Sequence, residues 1–359
     1  MTHYEDEIAA AYTLINQGDM DKALEHALKA IGYEGKKAEA YALASQIYGM
    51  MDDSEKAVEH SKHAYELSPG DNNISLGYSL FLMEIGNFDE ALLVTDGVLK
   101  RNDIPEAHHV RSNIFLNMGD EKKAMSEAHT AYKAGDAVEY KLNYAMILSE
   151  FGKIEDSIKI LKELLKSDEK NFEALYVLYR NYLALGDVKN AIKHVKECME
   201  VDDDPEVMSE FATLMEELDD SEFAEKYHRK AAEASGNDED IMLDMAEFYL
   251  SHSKPDHSLA IAEGILKEEQ TVDAMLIKGK SLQKMGKLEE AEKVFEETAE
   301  NSDDDEARLD FAICLYENRK YDTAEKLFEE LVAKEFQKDL SETYLDRIWW
   351  RKNRKKFNF

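Results

Sequence analysis

Residues 279–298 read GKSLQKMGKLEEAEKVFEET. Around Gly286, the residues Leu282, Ala291, Val294, Phe295 and Thr298 recur at helical spacing, so the stretch reads as one helix ending, a tight turn and a second helix beginning. A small residue, Gly279, stands seven places before the turn, and another, Ala291, five places after it. Small side chains at both places let two helices approach closely. The same marks run the length of the chain. Turn-like positions fall at Gly18, Asp52, Gly86, Gly119, Gly152, Gly186, Asp219, Ser253, Gly286 and Arg319, at intervals of 33 or 34 residues. Five places after each is a small residue: Ala23, Ala57, Ala91, Ala124, Ser157, Ala191, Ala224, Ser258, Ala291 and Ala324. Seven places before each is another, from Ala11 and Ser45 to Gly279 and Ala312, with Tyr179 the one bulky exception.

A fixed period of this length, with two helices per unit, resembles the tetratricopeptide repeat (TPR) family, whose unit of about 34 residues is a helical hairpin with small residues where the helices cross. The resemblance covers residues 4–338 as ten units; Tyr41 keeps the early aromatic, Pro69 closes a unit, and Ser157 and Ser258 replace alanine. It implies an all-α fold, a right-handed superhelical solenoid of about ten hairpins stacked on their neighbours. Residues 339–359 read as a capping helix and a tail. Asp339 and Glu342 have the spacing of a capping box, and Leu340, Tyr344 and Ile348 share one helical face. No linker or second domain is visible, so one elongated domain is expected.

Composition supports helices and narrows the partners. The 359 residues include only 16 Gly and 4 Pro, and 77 acidic against 44 basic groups give a net charge of −33. Nucleic acid is an unfavourable partner for such a surface. The polarity is uneven: Arg347 to Phe359 hold six Lys/Arg and no acid, leaving −39 on the rest. Cys198 and Cys314 are far apart in apolar helical contexts, so neither a disulfide nor a zinc site is expected. The first residues lack a basic-then-apolar signal segment and no stretch is long enough to span a bilayer, which predicts a soluble, cytoplasmic protein.

The resemblance places the first helix of each unit along a concave groove that takes extended peptides or partner helices. The second position of the units is acidic in nine of ten, including Glu206, Asp240, Asp273 and Glu306. Acids there complement the helix dipole without any ligand. Dipoles do not account for Glu217, Glu247 or Glu317, which lie toward helix middles or ends and join Glu210, Asp244 and Asp310 in the later units. Such a lining would attract Lys/Arg-rich segments in a salt-dependent way, or it is the solvated face of an acidic protein. Early units present Ile8, Tyr12, Leu43, Gln46, Leu76, Leu80, Leu142 and Met146 at the corresponding positions, an apolar or neutral groove. His109, Asn113 and Asn143 stand where the family's carboxylate clamp would have its first residues, with Tyr176 and Arg180 extending the patch. The next unit, however, supplies Glu173 and Val177 where the clamp has cations. An acidic chaperone tail is therefore not expected there; the patch could bond an extended peptide backbone, or its members are ordinary exposed polar positions.

The tail holds the chain's only tryptophans, Trp349 and Trp350, with Arg351, Lys352, Arg354, Lys355 and Lys356. It could pack on the cap, fill the acidic groove in cis or in a homo-oligomer, or contact an anionic membrane or polymer. The histidines, among them His60, His63, His108 and His109, form no metal-ligand pattern, and no phosphate loop or nucleophile elbow occurs. The reading is a non-enzymatic scaffold or adaptor with no metal or cofactor, binding basic or apolar peptide segments. The alternative is a peripheral adaptor anchored by its tail.

Overall fold

A computed structural model describes residues 3–354, and the chain divides into two compact units, Met1–Glu197 and Cys198–Phe359. The first contains α1 (His3–Asn16), α2 (Met20–Tyr33), α3 (Ala38–Met50), α4 (Ser54–Leu67), α5 (Asn72–Glu84), α6 (Phe88–Arg101), α7 (Pro105–Asn117), α8 (Glu121–Ala134), α9 (Val138–Glu150), α10 (Ile154–Leu164) and α11 (Phe172–Ala184). The boundary falls within α12 (Val188–Val201). The second unit continues with α13 (Pro205–Glu217), α14 (Ser221–Ala234), α15 (Glu239–Ser251), α16 (Pro255–Glu268), α17 (Val272–Lys284), α18 (Leu288–Asn301), α19 (Asp305–Glu317), α20 (Tyr321–Ala333) and α21 (Lys338–Asn353). Ten hairpins and one further helix account for all twenty-one, and no strand occurs among the described residues.

Every hairpin is closed by the same backbone device. All ten turn positions have positive φ, from 57° at Ser253 to 77° at Gly18 and Gly286. At Gly286 the turn residue's N–H donates to Gln283 O and the next N–H, of Lys287, reaches back to Leu282 O, both at 2.9 Å. This pair of bonds satisfies carbonyls that the helix end would leave bare. It recurs at every turn, including those at Asp52, Asp219, Ser253 and Arg319, where a side chain is held in the left-handed region. The residue after the turn often opens the next helix: Asp19, Asp53, Asp120 and Asp220 each accept a backbone N–H three residues on.

The small residues sit at the helix crossings. All ten residues five places after the turns are wholly buried. Seven places before, even Tyr179 is 2% exposed. Where serine replaces alanine, its hydroxyl is satisfied within the core: Ser157 Oγ accepts from Ser149 Oγ at 2.8 Å and Asn181 Nδ2 at 2.9 Å, and Ser258 Oγ accepts from Ser281 Oγ at 3.0 Å. At Gly279 the crossing has no room for a side chain, because an added Cβ would stand 2.4 Å from the ring of the fully buried Phe295.

The cap differs from expectation. Asp339 does not open a capping box: α21 starts earlier, after Gln337 in a left-handed conformation with no side-chain cap, which places Asp339 inside the first turn. The start is set by a further turn of the repeating type, in which Glu335 at φ 58° donates to Val332 O and Phe336 N–H reaches Leu331 O. Leu340 is consequently turned to solvent, and Ser341, Tyr344, Leu345 and Ile348 face the last hairpin. The helix runs through Asn353 and so includes Trp349, Trp350, Arg351 and Lys352 of the basic segment; Ile348 within it is wholly buried and no breaker intervenes.

Gly279→Ala is expected to destabilise the second unit by about 1–3 kcal/mol through overpacking against Phe295, read as a lower urea midpoint, and Phe295→Leu in the same chain should recover part of that loss.

Candidate binding surfaces

The acids predicted for the later units converge in part. On the first helices of successive hairpins, Asp240, Asp244, Glu247, Asp273 and Glu306 line an open cavity of about 390 Å³. A neighbouring cavity of about 600 Å³ shares Glu247 and adds Glu317. Leu243, Leu250, Leu276 and Ile277 lie between the carboxylates, so the lining combines acid with apolar surface. Helical periodicity produces this arrangement: residues four or seven apart on α15, such as Asp240, Asp244 and Glu247, share a face. Glu206, Glu210 and Glu217 lie on α13 and are not among the residues lining the two cavities, although Ser209 Oγ on that helix donates to Asp244 Oδ2 at 2.7 Å.

Lys280 stands in the middle of the acids and lines both cavities. Its Nζ lies 3.1 Å from Asp310 and 3.4 Å from Glu306. Burial disfavours its charge, but Asp310 and Glu306 outweigh that and hold its pKa above the ordinary value. Burial raises the Asp310 carboxyl as well, against the pull of Lys280. Both groups thus hold protons more tightly, Lys280 because of the carboxylates beside it and Asp310 because of its burial. Glu317 accepts from Gln283 Nε2 at 2.7 Å. Asp240, Glu247 and Asp273 have no ion-pair partner among the described residues.

In the first unit the predicted polar patch is partly joined. Asn143 Nδ2 donates to Asn113 Oδ1 at 2.6 Å, and Ser112 Oγ donates to Asn143 Oδ1 at 2.9 Å. His109 packs on the Tyr140 ring at 5.7 Å, with Nδ1 buried and without a hydrogen-bond partner among the described residues. Burial lowers its pKa, so the imidazole stays neutral. Tyr176 and Arg180 form a separate pair, the guanidinium 5.9 Å from the ring centroid. The expected apolar early groove is corrected: Ile8, Leu43 and Leu76 belong to the buried core, because they face the partner helices, whereas Tyr12, Gln46 and Met146 are exposed.

The basic C-terminal residues separate by helix face. Lys352 Nζ pairs with Asp322 at 2.5 Å and Glu325 at 2.7 Å, pinning α21 to α20; these bonds, that to Asp322 foremost, raise its pKa. Trp349 and Trp350 are about half exposed, in an edge contact with each other. Arg351, Arg354 and Trp350 line a different cavity, of about 700 Å³. Lys355 and Lys356 lie outside the described residues. No group of three or more His, Cys, Asp or Glu side chains among the described residues is placed to hold a metal ion, and no helix there is long and apolar enough to cross a membrane. Both cysteines are buried, and burial pushes the Cys314 thiol up to about 12, so it is protonated at neutral pH.

Models of the tetratricopeptide repeat match residues 38–71 and 282–342. The first match opens where α3 begins, and the second spans the turns at Gly286 and Arg319, so both coincide with the observed hairpins. The chain is a tetratricopeptide-repeat protein. DnaJ homolog subfamily C member 3 of Gallus gallus is 25% identical over 218 residues, which is 56% of the TPR chain and 43% of that protein. The match therefore spans less than half the length of this relative. Among solved structures, a tetratricopeptide repeat protein from Parabacteroides merdae aligns with a TM-score of 0.52 at 18% identity, over 68% of the TPR chain and 98% of its own. A human IFIT1 dimer with PPP-AAAA aligns with a TM-score of 0.55 at 13% identity, over 84% and 73%. These likenesses concern the fold alone.

Sequence reasoning missed Lys280, Ser209 and Gln283, which pair with the acids of the TPR chain. One signal was present: Lys280 follows Asp273 by seven residues and so occupies the same face of α17. The partners on neighbouring hairpins, 26 to 35 residues away, had no local mark. The position of His109 gives a pH test. Its folded pKa lies below the unfolded 6.5, so as pH falls through that value the unfolded chain protonates first and stability is lost. Between pH 7 and pH 5 the urea midpoint of His109→Gln should fall less than that of the parent chain; an equal fall would show that His109 is not held neutral.

Proposed function

We propose that the protein is an interaction scaffold whose second unit takes up basic, partly apolar segments of partner proteins along α15, α17 and α19. One observation carries the reading: six carboxylates line two adjoining cavities whose only cations are Lys280 and Lys284. Asp240, Asp273 and Glu306 occupy first turns, where the helix dipole favours them. Glu247 lies mid-helix, and Glu317 ends α19, where the dipole disfavours an acid. Their presence fits a partner that brings positive charge. The apolar residues between the acids would bury the aliphatic stems of Lys and Arg, which carry hydrocarbon as well as charge. Binding of this kind is reversible, quick to form and weakened by salt. The polar ladder of Asn113, Asn143 and Ser112 would serve as a second contact, to the backbone of an extended segment, in the first unit.

A fluorescent peptide alternating Lys/Arg with Leu should bind the chain in anisotropy titrations and weaken steeply as salt rises from about 50 to 300 mM. Asp244→Lys with Glu247→Lys should weaken it at least tenfold, whereas Lys280→Ala, which removes a competing cation, should tighten it. Affinity indifferent to salt and to both changes would mean that the carboxylates are only a solvated face.

A further inference from the structure

The geometry points to a second, oppositely charged docking site at the end of the second unit, a cleft that takes an acidic peptide segment. It does not rest on the acidic groove. Arg347, Arg351 and Arg354 follow one another at intervals of four and three residues, which puts them on one face of the helix. They line the cavity of about 700 Å³ with Trp350 and Tyr316, and an adjoining cavity of about 550 Å³ adds Arg319 to Arg351 and Arg354. Four of the chain's nine arginines are thereby gathered in one place.

These arginines are also unspent. Arg111, Arg229 and Arg308 are each tied to carboxylates. Among the described residues, no carboxylate lies within ion-pair distance of Arg319, Arg347, Arg351 or Arg354; Arg347 rests on the Tyr344 ring, 5.2 Å from its centroid. Lys352, on another face, does the structural work of holding α21 to α20. In a chain of net charge −33, a cluster of cations without internal partners is a surface complementary to anions. The planar fork of arginine suits carboxylates in particular, and Trp350 adds an apolar wall for the rest of the segment.

An acidic peptide fits better than a nucleic acid or a membrane. The three arginines span about 10 Å along the helix, a distance over which an extended peptide presents acids on alternate residues. Asp346 lies in the same lining and Glu317 in the adjoining one, so the ligand has to tolerate acids at the rim. A peptide can place a neutral or basic residue opposite them, whereas a phosphodiester chain carries a charge at every step. Beyond the cleft, the −39 of residues 1–346 repels a long polyanion or an anionic sheet of lipid more than a short segment.

Trp349 and Trp350 are the only tryptophans, so intrinsic fluorescence of the full chain reads this end alone. An acetylated decapeptide of alternating Glu and Leu should change the emission saturably. Arg351→Glu with Arg354→Glu should weaken that binding at least tenfold, while Lys352→Gln and Asp244→Lys leave it within about twofold. If the double variant lost its helical circular dichroism, Arg319→Glu on the opposite wall would be required to give the tenfold loss. An absent response, an unchanged affinity in the charge reversals, or tighter binding to a ten-nucleotide oligothymidylate or to phosphatidylserine vesicles than to the peptide would overturn the proposal.

Discussion

Ten times along the chain a residue enters the left-handed backbone region and two N–H groups turn back onto the helix that has just ended. Everything else is arranged around that turn. It fixes where the first helix stops, supplies the N-cap of the second in several hairpins, and so sets which residues meet at the crossing. Holding a side chain there costs on the order of 1–2 kcal/mol relative to an ordinary conformation. Asp52, Asp219, Ser253 and Arg319 nevertheless occupy it, with both reverse hydrogen bonds intact. The geometry is therefore imposed by the packed hairpin and not only by the conformational freedom of glycine. The eleventh instance, at Glu335, shows the same device positioning the terminal helix.

This explains why the fold was readable and the cap was not. A positive-φ residue, a small residue five places on and another seven places back are local marks, and repetition made them visible even where Ser or Arg replaced Gly. Asp339 and Glu342 also form a local pattern, but the start of α21 was decided by Phe336 packing on the last hairpin and by the turn at Glu335, which no spacing rule weighed. Likewise Ile8, Leu43 and Leu76 have the hydrophobicity of either a groove or a core residue. Only their direction, toward the partner helix, separates the two.

The binding surfaces show the same division. Face-sharing on one helix was legible, which is how Asp240, Asp244 and Glu247 were placed together. Contacts between hairpins were not, since Lys280 with Glu306 and Asp310, or Gln283 with Glu317, join residues 26 to 34 positions apart. Such pairings decide how much charge is free. Of the six lining acids only Glu306 meets a cation, Lys280; Glu317 and Asp244 accept from the neutral Gln283 and Ser209 and keep their charge, so with Asp240, Glu247 and Asp273 they set the potential a ligand would feel.

Net charge is consequently a poor guide to what this molecule attracts. At −33 the chain would be expected to present one kind of field, yet its second unit holds carboxylates on α15 and α17 and guanidinium groups on α21 that have no ion-pair partner among the described residues. The separation follows from the hairpin geometry. Charges between neighbouring hairpins neutralise one another wherever a long side chain can reach across, as Lys280, Lys320 and Lys352 do. The face of α21 turned away from the last hairpin meets no such side chain among the described residues, so the charge placed there is not neutralised by them. Arginine in that position keeps its charge at any physiological pH and loses little hydration on pairing, whereas the adjacent Lys352 is already committed to α20.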